Sequence, residues 1–368
     1  MAKYLWQEEK WPEMHWDDSK LSKHLAEAHM LQGQLLGKAA MFGTKDKNEA
    51  ILNSMTEEVL HSSEIEGLLL NRDSVRSSLA NHLGIETAGL KYPDHYSEGV
   101  VQVMMDATQN YTQKITAERL YAWHSALFPT GYSGMYKISV GQWRHGEEAM
   151  QIVSGAMGKQ KVHYEAPASS SVPAMMTEFL EWIENKQTET DPIIIAAIAH
   201  LRFVTIHPFD DGNGRICRTI TECLLSRADN TPQRFYSLSA ELMKHRKDYY
   251  NNLEAAQQSN LDVTQWIEWF ICTLKDAIRA ALDKTERVFE KTRFWDKYRE
   301  LSLNERQAKV INMLLDGFDG KLTSSKWYKI NHCSQDTALR DINDLISKGI
   351  LQKSPDGGRS SSYELIMP

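Results

Sequence analysis

Twelve residues, His207-Pro208-Phe209-Asp210-Asp211-Gly212-Asn213-Gly214-Arg215-Ile216-Cys217-Arg218, hold an imidazole, two carboxylates, two glycines around an asparagine and two arginines three apart. Each type has its own use at a phosphate. Histidine takes a proton near neutral pH. A carboxylate binds Mg²⁺ through oxygen. A Gly-Asn-Gly turn lets backbone N–H groups approach an anion closely, because glycine adopts φ > 0 without steric cost. Arginines at i and i+3 project from one face of a following helix and fork onto phosphate oxygens. The stretch reads as a phosphate-transfer loop.

The elements on either side must aim it. Asp191-Pro192 is an N-cap followed by proline at the first helical position, a strong helix start. The helix it opens, Ile193-Ile194-Ile195-Ala196-Ala197-Ile198-Ala199, is apolar all round, so it belongs in the middle of a domain. It runs directly into Ile206-His207-Pro208. A helix over Asn213–Ser226 follows, its N-terminus facing any bound phosphate. Beyond it, Leu242–Gln257 and Val263–Arg293 read as helices whose aromatics (Tyr249, Tyr250, Trp266, Trp269, Phe270) are core residues.

Upstream, Trp6, Trp11 and Trp16 recur at intervals of five, which fits neither helix nor strand, and read as indole anchors in an irregular segment. Ser19 caps a helix running to about Phe42. Asn48 or Lys47 opens a second one through roughly Ile65. That helix ends in Ser62-Ser63-Glu64-Ile65-Glu66-Gly67, with Ser62 and Glu66 on one face and Gly67 as the residue that stops it. A glutamate in a last turn has the wrong sign for the helix dipole. Taken alone it is a solvated acidic end; otherwise it is there to meet a cation elsewhere. Helices follow over Asp73–Asn81, over Asp94–Thr112 and after Thr116. In the last of these His124 reads as a satisfied histidine rather than a ligand. Another helix covers Pro173–Asn185.

Between Gly131 and Pro173 helical periodicity disappears and glycine is dense. Met150–Ser154 and Lys161–Glu165 alternate around a six-residue loop and read as a β-hairpin. Its exposed edge is either a passive cover or a docking edge for an extended peptide.

After about Ser302 the character changes again. Helices over Leu303–Leu315, Ser324–Ile330 and Ser334–Lys348 precede a hairpin built from 349–353 and 361–365 around a turn at 355–358. Three helices and a two-stranded wing resemble a winged helix, a fold usually used on DNA with its third helix in the major groove. Lys and Arg nearly balance Asp and Glu over 301–368, and the third helix offers Arg340 beside Asp336, Asp341 and Asp344. Phosphate neutralisation supplies most non-specific DNA affinity. A protein-contact or scaffolding role is therefore favoured, with DNA left open.

The composition bounds the rest. The chain has 368 residues, 42% hydrophobic and 25% charged, with a net charge of −7, enough for two or three soluble domains and against a nucleic-acid-coating surface. No apolar run follows a basic start, so no signal peptide is expected. His200, Arg202 and His207 interrupt the most apolar stretch, so no membrane span is expected. Cys217, Cys223, Cys272 and Cys333 have no metal-ligand spacing and read as reduced thiols in a cytoplasmic protein.

The 207–218 stretch resembles the Fic family signature, HxFx(D/E)GNGRxxR, at every defined position. Ser62–Gly67 resembles that family's inhibitory motif, (S/T)xxxE(G/N), in the subclass whose inhibitory helix precedes the core. The resemblance implies a mainly α fold, a Fic-type helical bundle with a small β-hairpin flap, followed by the C-terminal winged-helix domain. It implies boundaries of 1–45 for a Trp-rich helical region, 46–112 for a region with the inhibitory helix at about 48–67, 113–298 for the core and 301–368 for the winged helix. It further implies a protein adenylyltransferase that moves AMP from ATP, with Mg²⁺, to a Ser, Thr or Tyr hydroxyl of a protein target. In that scheme His207 is the general base and Asp211 holds the metal. Gly212, Asn213 and Gly214 form the anion nest, while Arg215 and Arg218 meet the β- and γ-phosphates. Tyr250 and Gln257 lie on the adenine side. The flap is 150–165, with Lys161, Val162, His163 and Tyr164 lining its target-docking edge. Glu66, steadied by Ser62, takes the γ-phosphate's place at Arg218 and inhibits. Self-modification, a homodimer, removal of AMP and transfer of another phosphate-containing group stay open. So does a DNA-binding regulator with a nucleotide-sensing Fic domain.

Overall fold

A computed structural model of the chain describes residues 3–85, 94–147, 149–154, 161–185, 189–355 and 361–367. They fall into two compact units, Met1–Ala281 and Leu282–Pro368. The first begins with helices α1 (Asp18–Ala40), α2 (Thr44–Ile65), α3 (Arg72–Leu83), α4 (His95–Gln109) and α5 (Ala117–Leu127). Two short hairpins follow, β1 (Tyr132–Ser133) with β2 (Tyr136–Lys137), and β3 (Gln151–Ser154) with β4 (Lys161–Glu165). Helices α6 (Val172–Asn185), α7 (Pro192–Ile206), α8 (Asn213–Asp229), α9 (Leu238–Lys244) and α10 (Arg246–Gln257) lead into the long α11 (Thr264–Tyr298).

Helix α7 is the core of this unit. Every residue from Ile193 to Ile206 is buried, as its apolar circumference requires. Its histidine and arginine have partners, while the Thr205 hydroxyl has none among the described residues. The His200 ring nitrogens meet Thr221 Oγ1 of α8 at 2.9 Å and Tyr249 OH of α10 at 2.8 Å. The Arg202 guanidinium reaches Glu178 and lies over the rings of Trp182 and Trp11. Trp11 therefore anchors the N-terminal segment, as does Trp6, whose indole N–H donates to the Glu165 carbonyl. Trp16 serves only locally, donating to Asp18.

Several expected boundaries move for local reasons. The cap of α1 is Asp17, which accepts from the Ser19 N–H and hydroxyl, not Ser19 itself. Helix α2 starts at Thr44 because Gly43 is its N-cap. The helix expected over Leu242–Gln257 is two helices that meet at His245 (φ −112°), which is not helical. Burial of Glu58, on α2, accounts for the extra piece. Its carboxylate accepts from the Ser237 hydroxyl and from the N–H and hydroxyl of Ser239, so the first turn of α9 is capped by another helix.

The β3–β4 hairpin pairs as expected, while its loop at 155–160 lies outside the described residues. Ile152 pairs with Tyr164 but Val153 pairs with Val162, leaving His163 as an extra residue. This bulge reverses the inside–outside alternation.

The second unit takes in the end of α11, so it begins at Leu282 rather than at 301. Phe294 and Tyr298 belong to its core with Trp327, Ile342 and Leu345. Its elements are α12 (Glu305–Leu315), β5 (Leu322–Thr323), α13 (Ser324–Asn331), α14 (Gln335–Ser347), β6 (Leu351–Lys353) and β7 (Ser362–Leu365). The expected two-stranded hairpin is a three-stranded sheet in the order β5-β7-β6, because the two-residue β5 adds to β7. The turn at 356–358 lies outside the described residues. Asp341 accepts from Asn304 and Arg306 and ties α14 to α12.

Burial pushes the pKa of His200 down to about 3, against an ordinary value near 6.5. Above pH 6.5 the folded and unfolded chains are both neutral there. Below it the unfolded chain gains a proton that the folded one refuses, so stability falls as pH falls. The expected slope approaches about 1.4 kcal/mol per pH unit between pH 6.5 and 5 for this one imidazole. Urea unfolding of the parent and His200→Gln across that range checks it. The variant starts less stable but should have the shallower slope, and equal slopes would contradict the assignment.

Candidate active site

The site begins where α7 stops in the interior. A helix end leaves its last carbonyls without intrahelical partners, and here each of them is met. Phe203 O accepts from the His207 N–H and Val204 O from His207 Nδ1. Thr205 O accepts from Tyr164 OH at 2.6 Å. Ile206 O and His207 O accept from the Arg144 guanidinium, and Pro208 O from the Arg144 N–H. His207 itself is left-handed, φ 51° and ψ 60°, unusual for a residue with a side chain.

The loop beyond is held as closely. The Asn213 side chain accepts from Phe209 N–H and donates to Phe209 O. His124 stacks on Phe209, ring centroids 4.2 Å apart, and bonds the Asp211 carbonyl and the Gly141 N–H. Asp210 accepts from the Ser139 N–H. Asp211 accepts from the Gly212 N–H and the Ser133 hydroxyl.

With Nδ1 donating to Val204 O, Nε2 of His207 keeps its lone pair. Burial, with the charge of Arg144, lowers its pKa to about 4 against the opposing pull of Val204 O, Glu66 and Asp211. The ring is neutral at neutral pH and able to accept a proton.

The two glycines have different reasons. Gly212 has φ 82°, and a Cβ there would meet the Phe128 ring at 2.7 Å. Gly214 is helical, in the first turn of α8, and is needed for close approach: a Cβ would lie 1.9 Å from Glu66 Oε1. A carboxylate thus rests on the N-terminus of α8, where the helix dipole favours an anion. Arg218 closes the arrangement. It donates Nε to Ser62 Oγ at 3.0 Å, and Nη2 to the Ser62 carbonyl at 2.6 Å and Glu66 Oε1 at 2.8 Å. Burial opposes its charge, but Glu66 with Tyr249 and Tyr250 together outweigh that and raise its pKa. Its Nη1 has no partner among the described residues. Arg215 donates to Tyr96 OH and lies over the Phe128 ring.

Glu66 is held in place from behind. The Gly67 N–H reaches Glu64 O and the Leu68 N–H reaches Ser63 O, a Schellman end with Gly67 at φ 80°. Arg246 Nε caps Ile65 O at 2.9 Å.

Other expected site residues fare differently. The Asn213 side chain is spent on Phe209, which leaves its backbone N–H as the group that could meet an anion. Tyr250 lies beside the end of α2, its hydroxyl 3.4 Å from Ile65 O. Gln257 is buried two turns further along α10, its Nε2 unpartnered among the described residues. On the flap, Val162 is exposed and His163 pairs with Glu254, and Lys161 opens β4. Tyr164 does not line an open edge. The bulge turns it inward, against Tyr4 and the end of α7. Tyr96, Ser133, Ser139 and Arg144 were not singled out, since nothing in their spacing marks them.

Residues 114–225 match the Fic/DOC family, and residues 4–85 match a domain described as of unknown function, DUF4172. The chain carries a Fic/DOC domain, and Glu66 lies outside that match, within the other. It is 25% identical over 231 residues to the protein adenylyltransferase Fic of Aedes aegypti, covering 60% of this chain and 42% of that one. It is 33% identical over 96 residues to the same-named protein of Culex quinquefasciatus, 26% of this chain and 18% of that one. The chain spans less than half the length of these relatives. Its fold is similar to a Fic family protein from Desulfovibrio desulfuricans G20, with a TM-score of 0.54 and 21% identity over 94% of this chain and 95% of that one.

Glu66→Ala leaves the buried Arg218 with Ser62 alone. Glu66 is one-third exposed, so solvent softens the loss to about 1 kcal/mol. Added pyrophosphate should then raise the melting temperature of the variant more than that of the parent. Equal gains would mean that Glu66 does not occupy the anion site.

Proposed function

We propose that the protein is an adenylyltransferase that transfers AMP from ATP to a hydroxyl side chain of a protein, and that Glu66 holds it in check. The observation that carries this reading is the Glu66 carboxylate at the α8 N-terminus, bonded to Arg218. An anion already fills a site made for one, at a helix that starts six residues beyond a neutral histidine and two beyond Asp211. The names of the curated relatives point to the same activity.

In this reading the acceptor oxygen attacks the α-phosphorus, its proton passes to Nε2 of His207, and the bond to pyrophosphate breaks. A neutral imidazole fixed through Nδ1 suits that transfer. The α8 N–H groups, Arg215 and Arg218 hold the β- and γ-phosphates. Asp211 fits Mg²⁺. The described residues contain no cluster of three or more candidate ligands, so a cation on this carboxylate draws on phosphate and water oxygens, as Mg²⁺ commonly does. Bound there, Mg²⁺ offsets charge on the leaving pyrophosphate. Glu66 takes the γ-phosphate's place and leaves the α-phosphate off line, a misplacement of about 1 Å being worth roughly 10²-fold in rate. Incorporation of labelled AMP into protein should rise at least about tenfold in Glu66→Gly. Adding His207→Ala should abolish it with ATP affinity retained. Equal rates in parent and Glu66→Gly would sink the inhibition, and joint loss of transfer and ATP binding would make His207 structural.

We infer that the second unit is a winged helix used for protein contact rather than for DNA. In α14, Asp341 is paired with Arg306, and Asp344 with Gln307 and Lys348, so two of the cations that could meet phosphates are already engaged. A gel shift with duplex DNA at low salt should show no complex, and a salt-dependent shift would reverse the inference.

A further inference from the structure

We propose that Arg144 is a positioning residue for His207, holding the base's backbone in its left-handed turn by occupying the carbonyls on both sides of it. The proposal rests on the reading of His207 as the base. Arg144 is 5% exposed. Its Nε donates to His207 O at 2.8 Å, its Nη2 to Ile206 O at 3.5 Å and to Pro167 O, and its N–H to Pro208 O at 2.8 Å. One residue thus satisfies three consecutive carbonyls centred on the base.

Three features say that this is more than a filled gap. A buried guanidinium normally has a carboxylate, yet every hydrogen bond of Arg144 among the described residues goes to a carbonyl. Its charge sits at the C-terminus of α7, where the helix dipole favours a cation. The residue it clamps pays the cost of a left-handed, non-glycine conformation immediately before proline, a position where extended backbone is preferred. Without the clamp, His207 is free to relax toward extended backbone. Its Nδ1 would then leave Val204 O, the bond that fixes which nitrogen carries the lone pair. Three charges face the imidazole: Arg144, Glu66 from the end of α2, and Asp211 from the loop. Arg144 is the one that favours the neutral ring.

The test uses full-length chain labelled with ¹⁵N-histidine, with His207→Ala assigning the signal. Arg144→Lys keeps the charge but loses the fork, and Arg144→Gln loses both. In the parent, His207 should titrate below the ordinary range and show a single Nδ1–H tautomer. Arg144→Lys is expected to keep the low midpoint and lose the single tautomer. Arg144→Gln is expected to raise the midpoint as well. Both should bind pyrophosphate as the parent does, since Arg144 touches none of the anion-binding groups. In a Glu66→Gly background Arg144→Lys should lower AMP transfer by roughly 10²-fold. Parental tautomer and midpoint in either folded variant would overturn the proposal. So would a parallel loss of pyrophosphate affinity, which would mean that Arg144 braces the whole loop. If Arg144→Gln does not fold, the tautomer in Arg144→Lys decides. If Glu66→Gly itself transfers no AMP, the enzymatic reading fails, while the spectra still decide the role of Arg144.

Discussion

A helix that is apolar on every side and ends inside a protein leaves carbonyls that water cannot reach, and the first unit is arranged around that constraint. Leaving a buried backbone acceptor unpaired costs on the order of 1–3 kcal/mol, and the end of α7 with the two residues beyond it presents six in succession from Phe203 to Pro208. Their donors come from three separate parts of the chain: the histidine's own backbone and ring, Tyr164 on the flap, and Arg144 from the irregular stretch before it. The same bonds that satisfy the helix end therefore fix His207, attach the β3–β4 hairpin and fold the 131–146 segment against the loop. Stability and site geometry are one set of interactions here.

The start of α8 poses the opposite requirement. Its N–H groups, together with Arg215 and Arg218, form a concentration of donors and positive charge that calls for an anion. Glu66 supplies one from a helix far upstream, and Gly214 is the residue that lets it come close. A glutamate at the C-terminal end of α2 is disfavoured by that helix's own dipole. What it loses there it regains at the N-terminus of α8. Two helix ends, one carboxylate and one guanidinium form a closed circuit.

Much of this was legible in the sequence because it is local. Asp191-Pro192, the Gly-Asn-Gly turn, the arginine spacing and Gly67 each act within a turn of the residues they control, so composition and spacing expose them. The supports of the loop are not local. Ser133, Ser139, Arg144 and Tyr96 act across long separations on backbone groups, which any donor could reach and no pattern announces. Tyr164 failed for a different reason. Strand alternation puts it beside Val162, and a one-residue bulge, which depends on pairing geometry, turned it inward. The start of α9 at Leu238, ahead of the expected Leu242, likewise goes with Glu58 capping a helix to which it does not belong.

The two partners of the Glu66–Arg218 ion pair are unequally held, and that decides which of them can move more easily. Arg218 is 2% exposed and fixed by Ser62 through two bonds, whereas the Glu66 side chain is 32% exposed and joined through one oxygen. Behind Glu66, α2 is fastened to other helices by Arg246 on Ile65 O and by the three donors on Glu58. Moving the helix would break all of these at once. Rotating the glutamate breaks one charge-assisted bond and replaces it with water on the exposed side, a cost near the low end for a partly exposed pair. The rotation leaves Arg218 and the α8 N–H groups in place, ready for another anion. Parting the pair by side-chain rotation is therefore the cheaper path by several bonds, and it leaves the fold around Arg218 unchanged.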